Sequence, residues 1–250
     1  MSCACVAHRP PPSQQAARTR DLRRRPSGAV LRHPPAPHAA QRTSPARGAP
    51  ARAQAPGAGG AAREVVYLRN FLPRQEFEAV CAEVASLAAR SLKPERNSIA
   101  EGRRGCYLPP DSPAVRALLS PDAIARIARK LGVPRGVRLR PSAFPAEVRR
   151  YPVGAQMQWH VDELMYEEPQ VELVLTVANS SDSLTEWREP DGAVESHRTE
   201  PNSVLALVAG GASHRVTPVR RGDRTIIKTV LTSTDRTLPA FEQNLGRANY

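Results

Sequence analysis

The spacing of apolar residues along the chain changes from a helical period to a strand period. A first strand is predicted at 65–68, and apolar side chains then recur every three or four positions between 74 and 90, which predicts an amphipathic helix. Ser112 and Ser120 each precede a proline; serine caps helices and proline suits the first helical turn, so two short helices are predicted to start there. Gly132 is predicted to end the second of them.

From about residue 137 the period is two. Strands are predicted where apolar residues alternate with polar ones or run together, at 137–140, 171–178, 204–208 and 226–231. Helices followed by many short strands are typical of an α+β domain with an antiparallel sandwich or barrel. We predict one domain over 64–250, with helices at about 74–131 and a β-core at about 137–235. The last ten residues fit either a short helix or an ordered tail.

The first 63 residues differ from the rest in composition. They are rich in Ala, Pro and Arg and carry +10 of the formal net charge of +12, whereas the body carries only +2. The segment has too few large apolar residues to offset the entropy of ordering, so it is predicted to be disordered. Because the body is nearly neutral, nucleic acid is not the expected partner.

The composition of this tail predicts a targeting role. An arginine-rich, acid-poor N-terminus is typical of an organelle transit peptide. We predict the chloroplast, with the mitochondrion as the alternative, because the tail is rich in proline and alanine and shows no clear amphipathic helix. An ordinary disordered extension of a cytoplasmic protein and a basic RNA-binding arm are the other interpretations. No apolar run resembles a secretory signal or is long enough to span a membrane.

The four cysteines do not form a disulfide framework. Cys3 and Cys5 lie in the tail beside His8, without the second half of a metal cluster. Cys81 falls on the apolar face of the first predicted helix, and Cys106 has no evident partner. This pattern is typical of a reducing or stroma-like compartment.

The residues with the clearest chemistry are His160 and Asp162, in Trp-His-Val-Asp, followed by His214 and Arg224. Side chains two apart on a strand point the same way, so His160 and Asp162 can reach one metal ion. For the third ligand we select His214, which follows an apolar strand at the mouth of the predicted sheet, over His197, which lies in a polar stretch. Two imidazoles and one carboxylate form a facial site with open positions, which suits ferrous iron that binds oxygen.

Arg224 begins the next predicted strand, so its guanidinium can point into the same barrel. A guanidinium binds a carboxylate through two parallel hydrogen bonds, and it can therefore hold a dicarboxylic cosubstrate beside the metal.

At these residues the chain resembles the 2-oxoglutarate- and Fe(II)-dependent oxygenases, and most closely their prolyl 4-hydroxylase-like branch. The resemblance covers about 145–232: Tyr151-x-x-Gly leads into His160-x-Asp162, and His214 is followed by Arg224. It implies a double-stranded β-helix (jelly-roll, cupin-like) core flanked by N-terminal helices. It also implies that the two histidines and Asp162 ligate iron, that Arg224 binds the distal carboxylate of 2-oxoglutarate, and that the Tyr151 hydroxyl contacts this cosubstrate. Oxygen is then the second cosubstrate, with ascorbate as an assisting reductant.

The sequence departs from that branch where the substrate would bind. Met157 stands where the branch commonly has an aromatic residue, and Ser183–Trp187 replaces its Gly-Gly-Glu-Thr segment. The expected substrate is therefore either a protein side chain, of prolyl type, or a small metabolite, and nothing in the sequence indicates the oligomeric state. The alternatives are a nucleic-acid demethylase of the same superfamily, which has a further arginine that 225–235 lacks, and a non-catalytic cupin-like metal-binding protein.

Several residues near the motif are candidates for the substrate mouth. The aromatic candidates are Trp159, Trp187 and Tyr166, for which ordinary packing is the alternative. The acidic candidates for a basic peptide are Glu163, Glu167 and Glu168, for which a solvated loop is the alternative. The Arg149-Arg150 and Arg220-Arg221 pairs are expected on solvated faces, unless they line the mouth and favour an anionic substrate.

Overall fold

The computed structural model describes residues 62–95 and 98–247. Nearly all of the predicted tail, including Cys3, Cys5 and His8, lies outside the described residues, so its disorder and its targeting role stay predictions. The helices are α1 (Arg74–Arg90), α2 (Pro113–Leu118), α3 (Pro121–Leu131) and α4 (Pro239–Arg247). None of the helices in these ranges combines the length and apolar character needed to cross a membrane.

The helix starts and ends follow the sequence signals. The Ser112 hydroxyl accepts a hydrogen bond from the amide of Val115 at 3.2 Å, and the Ser120 hydroxyl accepts one from Ala123 at 3.3 Å. Each therefore satisfies an amide that the first turn of its helix leaves without a partner. Gly132 ends α3 with a φ of 72°, a left-handed conformation that favours glycine. The three predicted helices are confirmed.

The described residues form thirteen strands in two antiparallel sheets. The strands of the larger sheet are, in spatial order, β1 (Val65–Leu68), β11 (Ser203–Val208), β8 (Val171–Asn179), β13 (Arg224–Thr232), β6 (Glu147–Tyr151), β4 (Arg104–Tyr107) and β2 (Lys93–Pro94), with β5 (Arg140–Pro141) pairing to β13. Those of the smaller sheet are β10 (Val194–His197), β9 (Thr185–Arg188), β12 (His214–Val216), β7 (Gln156–His160) and β3 (Ala100–Glu101). Side chains from both sheets line one cavity, so the sheets face each other. The predicted α+β fold with a jelly-roll core is confirmed.

The two faces of the larger sheet have different chemistry. Its outer face packs on the helices, and the shared core includes Val148, Leu175 and Ile227 from the sheet with Val84 and Ile127 from α1 and α3. Residues alternate between faces along a strand, so the neighbours of these apolar residues face the cavity. The inner side chains of β6, β13 and β8 include both apolar and charged residues. The cavity is thus a polar chamber beside an apolar core.

The strands differ from the sequence prediction in two regions. No strand forms at 137–139, and the pairing is limited to β5, where Pro141 lacks the amide proton needed to extend a ladder. The region before residue 137 also contains β2, β3 and β4, which are two to four residues long and too short to show a period. The ambiguous C-terminus forms α4.

Candidate metal and cosubstrate site

His160, Asp162 and His214 lie together at one end of the cavity. β7 ends at His160 and β12 begins at His214, and the two histidines are register partners. The Asp162 carboxylate oxygens lie 3.7 Å from Nε2 of His160 and 3.5 Å from Nε2 of His214. Two donors that are each about 2.1 Å from one ion can be at most about 4.2 Å apart. Both separations meet that limit, and the three ligand atoms all lie within 4.8 Å of one another, so the three side chains could hold one metal ion.

An irregularity in β7 aims His160 into the cavity. Met157 and His160 are three residues apart, yet their partners Val216 and His214 on β12 are two apart. The extra residue on β7 is a β-bulge, which shifts the alternation of side chains by one. Met157 and His160 therefore both line the cavity. Asp162 lies two residues beyond the end of β7, so the strand alternation used in the sequence analysis does not place it.

Backbone contacts fix which nitrogen of each imidazole faces Asp162. Nδ1 of His160 lies 2.9 Å from the carbonyl oxygen of Gln158, and Nδ1 of His214 lies 3.2 Å from that of Ala212. A carbonyl only accepts, so each Nδ1 carries a proton and Nε2 is the ring nitrogen that faces Asp162. Nε2 of His160 is buried and has no hydrogen-bond partner within residues 62–95 and 98–247. This is the arrangement that metal-binding histidines adopt.

The charge states of the cluster also suit a metal ion. Burial, together with the neighbouring His214, lowers the pKa of His160 to about 4, so its imidazole is neutral near pH 7. Burial raises the pKa of Asp162, but the Lys228 ammonium and the two imidazoles outweigh it, and the pKa lies below its ordinary value. The cluster therefore offers the neutral imidazole of His160 and the ionised carboxylate of Asp162, beside the imidazole of His214.

Arg224 lies in the same cavity, at the start of β13. It is only 2 % exposed, and its Nη1 donates a 2.6 Å hydrogen bond to the hydroxyl of Thr185 on β9. Its Nε is buried without a hydrogen-bond partner, and no described carboxylate lies within ion-pair distance of its guanidinium. Burial lowers the pKa of Arg224, with Tyr151 opposing the shift. A buried cation without a counter-ion is costly, and this cost is typical of an anion site.

Tyr151 is the register partner of Arg224 on β6 and is 2 % exposed. Its ring centroid lies 5.8 Å from the guanidinium carbon of Arg224. Its hydroxyl accepts a 2.8 Å hydrogen bond from Nη1 of Arg103, which also pairs with both oxygens of Glu95. The structure therefore places Tyr151 beside the predicted anchor, and its contact with the cosubstrate stays a prediction.

Three cation–carboxylate pairs inside the barrel were missed by the sequence analysis. They are Arg103 with Glu95, Arg149 with Glu147 at 2.6 Å, and Lys228 with Glu172 at 2.9 Å. Burial lowers the pKa of Lys228, but the Glu172 and Asp162 carboxylates outweigh it and hold that pKa above its ordinary value. Burial also raises the pKa of Glu172, and the ammonium limits that rise. For the pairs on β6, β8 and β13 the one available signal was a charge at an inward position of a strand, whereas Arg103 and Glu95 lie outside the strands and offered none.

The expectation for Arg149-Arg150 was half wrong. Arg150 pairs with Asp223 on the outer side of β6, but Arg149 faces the cavity and is 8 % exposed. Adjacent residues of a strand point to opposite faces, so they cannot share one environment. Arg220 and Arg221 are exposed, and their amides donate to the carboxylate of Asp182.

The aromatic candidates have different surroundings. Trp187 is 4 % exposed and stacks on His197 at 4.9 Å, and Tyr166 is 2 % exposed and packs on Phe241. Both are therefore packing residues. Trp159 is half-buried, and the guanidiniums of Arg188 and Arg215 lie 4.5 and 4.8 Å from its ring centroid. A substrate contact for Trp159 stays a prediction.

The acidic cluster connects the loop after Asp162 with the C-terminal region. Glu167 pairs with Arg236 at 2.8 Å, and Glu168 accepts a hydrogen bond from Ser233. Glu163 accepts a 3.1 Å hydrogen bond from Asn244 of α4. These exposed carboxylates therefore hold a solvated loop against its neighbours.

The comparisons with known proteins agree on the fold. No protein-family model matches the sequence, and no curated protein matches it significantly. Among solved structures, a prolyl-4-hydroxylase of Pseudomonas putida is 19 % identical with a TM-score of 0.56, over 68 % of this chain and 93 % of that one. A Trichoplax adhaerens prolyl hydroxylase in complex with a hypoxia-inducible factor peptide is 16 % identical with a TM-score of 0.57, over 68 % and 84 %.

A third similar structure carries ligands. The epimerase SnoN of nogalamycin biosynthesis, in complex with Fe³⁺ and α-ketoglutarate (2-oxoglutarate), is 13 % identical with a TM-score of 0.55, over 69 % of this chain and 80 % of that one. At these identities the likeness establishes architecture. The chain has the fold of the 2-oxoglutarate- and Fe(II)-dependent oxygenases.

Proposed function

We propose that this protein is an Fe(II)- and 2-oxoglutarate-dependent dioxygenase that hydroxylates a protein side chain, of prolyl type, or a small metabolite. One observation carries the proposal: the buried guanidinium of Arg224, which has no carboxylate partner among the described residues, shares a cavity with a His–Asp–His cluster. The cluster fits a metal, and the guanidinium fits the far carboxylate of a dicarboxylic acid.

The charges inside the barrel support a dianion as cosubstrate. Each of the three pairs described above is neutral as a unit, which leaves Asp162 and Arg224 as the charges without a dedicated partner. A divalent ion bound to Asp162 would leave a net charge of about +1 at the metal, and the Arg224 guanidinium adds a second positive charge. Buried charges need compensation at close range. A dicarboxylate would neutralise both, and no monoanion would.

The residues of the chain would do three things in the reaction, besides the chemistry that the metal supplies. Iron, when bound, would supply the oxidising chemistry by which oxygen, 2-oxoglutarate and the substrate give succinate, carbon dioxide and the hydroxylated substrate. His160 and His214 would hold it through Nε2, and Asp162 through its carboxylate. Arg224, oriented by Thr185, would align the cosubstrate by its distal end. The apolar cavity walls, which include Val174, Leu205, Leu207 and Ile226, would exclude water.

The proposed substrate is a group without net charge. Val161 and Leu164, which flank Asp162, are 46 % and 38 % exposed. The chamber needs no further charge once metal and cosubstrate are bound, so a neutral aliphatic carbon such as that of a prolyl ring suits it. The nucleic-acid demethylase alternative gains no support from the near-neutral body, and a non-catalytic cupin-like protein has no need of Arg224.

Succinate formation tests the proposal. The full chain is incubated in air with Fe(II), ascorbate and 2-oxoglutarate, and succinate is measured with and without candidate prolyl peptides and metabolites. We expect iron-dependent succinate that His160→Ala abolishes and that the matched control His197→Ala retains, because His197 lies outside the cluster. Absence of iron-dependent succinate under every condition contradicts the function, and wild-type turnover by His160→Ala contradicts the ligand assignment.

A further inference from the structure

A second cation on β13 faces the metal cluster. Lys228 follows Arg224 by four residues, so both side chains point to the inner face of the strand, and both line the same cavity. At about 3.3 Å per residue their Cα atoms are about 13 Å apart. The strand thus presents one cation at the far end of the chamber and one at the metal end.

The surroundings of Lys228 connect it to the metal carboxylate. Its Nζ lies 2.9 Å from Oε2 of Glu172 and 3.8 Å from Oδ1 of Asp162. An ammonium has three donors, and Glu172 accepts one of them at short range. Gln170 holds this arrangement: its Nε2 lies 3.5 Å from Oε1 of Glu172 and 2.8 Å from the carbonyl oxygen of Glu163, on the loop that carries Asp162. The ammonium is therefore fixed at the metal end by a buried network.

Metal binding changes what Lys228 faces. In the metal-free protein, Asp162 is a negative charge within 4 Å of the ammonium. A divalent ion bound to Asp162 reverses the sign of that charge, and the ammonium is then opposed by a cation in a chamber of low dielectric. The Glu172 carboxylate balances the charge of the Lys228 ammonium, but the excess positive charge of the metal with Asp162 then has no counter-ion. An anion placed between the ammonium and the metal removes the conflict.

We propose that Lys228 binds the carboxylate of 2-oxoglutarate that adjoins the keto group, while Arg224 binds the distal one. The inference rests on the proposed function, since it adds a second contact for the same cosubstrate. Both ends of the dicarboxylate are then held from the inner face of one strand. This arrangement selects for a 2-oxo acid with a carboxylate at each end, and it makes Lys228 a binding residue rather than a structural ion pair.

The test compares two ligands that differ only at the end in question. 4-Oxopentanoate is 2-oxoglutarate with a methyl group in place of the carboxylate beside the keto group. The full chain is loaded with Zn²⁺, which does not turn over, and binding of each ligand is followed by ligand-observed NMR. We expect Lys228→Met to weaken 2-oxoglutarate binding at least tenfold and to change 4-oxopentanoate binding less than twofold. Lys228→Arg, which keeps the charge, should restore most of the 2-oxoglutarate affinity.

A double variant separates a binding role from a folding role. Lys228→Met with Glu172→Leu replaces the whole buried pair by apolar side chains, an exchange that proteins often tolerate. It should fold, bind Zn²⁺ and show the same loss for 2-oxoglutarate. The inference is overturned if the binding of both ligands weakens equally, or if 2-oxoglutarate binding is unchanged in either variant. Loss of Zn²⁺ binding in both variants overturns it too. A wild-type protein that binds Zn²⁺ but not 2-oxoglutarate overturns the proposed function as well, which distinguishes the two failures.

Discussion

Arg224→Met should make the ligand-free protein no less stable and should remove most of the stabilisation that 2-oxoglutarate provides. Burial lowers the pKa of Arg224, so the folded state disfavours the charged form. A base with a lowered pKa costs folding free energy at every pH below its folded pKa, because the unfolded chain holds the proton more tightly. Methionine removes that cost.

The magnitude follows from what the guanidinium touches. Replacing a poorly compensated buried charge by an apolar side chain recovers on the order of 1–4 kcal/mol. The lost hydrogen bond to Thr185 offsets about 1 kcal/mol of this gain. In a domain of this size 1 kcal/mol shifts Tm by roughly 2–4 °C. Ligand-free Arg224→Met should therefore melt between the wild-type temperature and roughly 10 °C above it.

The ligand response should change in the opposite direction. With Zn²⁺ present, 2-oxoglutarate at one hundred times its Kd stabilises the wild type by about 2.7 kcal/mol. Removing one partner of a buried charged contact costs roughly 2–5 kcal/mol of binding, so the variant should bind at least about thirtyfold more weakly. At the same ligand concentration the stabilisation should fall below about 1 kcal/mol.

Thermal melts with and without Zn²⁺ and 2-oxoglutarate measure both effects. Arg221→Met is the matched control, because that arginine is exposed and only its backbone amide donates to Asp182. It should leave both melting temperatures near those of the wild type. A full 2-oxoglutarate shift in Arg224→Met would refute the anchor, and a ligand-free protein more than about 5 °C less stable would show that the guanidinium is a structural group.

Further predictions concern protonation, a turn, α4 and the tail. Because the pKa of His160 is about 4 against an ordinary 6.5, the metal-free protein should lose roughly 3 kcal/mol as the pH falls from 6.5 to 4, and in pH-dependent melts His160→Gln should lack this loss. Gly222→Ala should cost over about 1 kcal/mol in denaturant unfolding, since Gly222 has a φ of 68° and a Cβ would collide with the Ser180 carbonyl, whereas Gly136→Ala, with open space around it, should cost little. Phe241→Ala should cost about 3–5 kcal/mol in the same assay by emptying the core under α4, and a loss below 1 kcal/mol would contradict that packing. Residues 1–63 fused to a fluorescent reporter should direct it to plastids, and diffuse cytosolic fluorescence would exclude a transit peptide.

The sequence predicts the elements whose signals are local. The serine–proline pairs locate α2 and α3 because an N-cap and the first turn are set by adjacent residues. The long strands β8, β11 and β13 are found because each has enough residues to show a period of two, or a continuous apolar run, with turn residues on either side. By contrast β3 and β4 depend on β7 and β6, which lie far along the chain, and β2 depends on β4. These three strands have only two to four residues and carry no pattern.

The sequence predicts the members of the candidate site but not the buried charged residues around them. His160, Asp162, His214 and Arg224 are recognisable by residue type and order, and the structure brings the first three within 4.8 Å of one another. The buried charges cannot be recognised in this way, because a charged residue in a strand normally faces solvent. Arg149 shows the difficulty: only the face assignment of β6, fixed by its partners, separates it from the solvated Arg150.

Because of the bulge in β7, the face of the sheet that His160 occupies depends on the number of residues between it and Met157. A substitution at Gln158 or Trp159 leaves the backbone path intact, and the imidazole still reaches the cavity. Gain of one residue between Met157 and His160, with the bulge retained, would turn the histidine outward and leave the jelly-roll in place without its first ligand. Loss of one residue would instead remove the bulge and keep the histidine opposite His214, because residues two apart on a regular strand share a face. This stretch should therefore tolerate changes of side chain and loss of one residue better than gain of one residue.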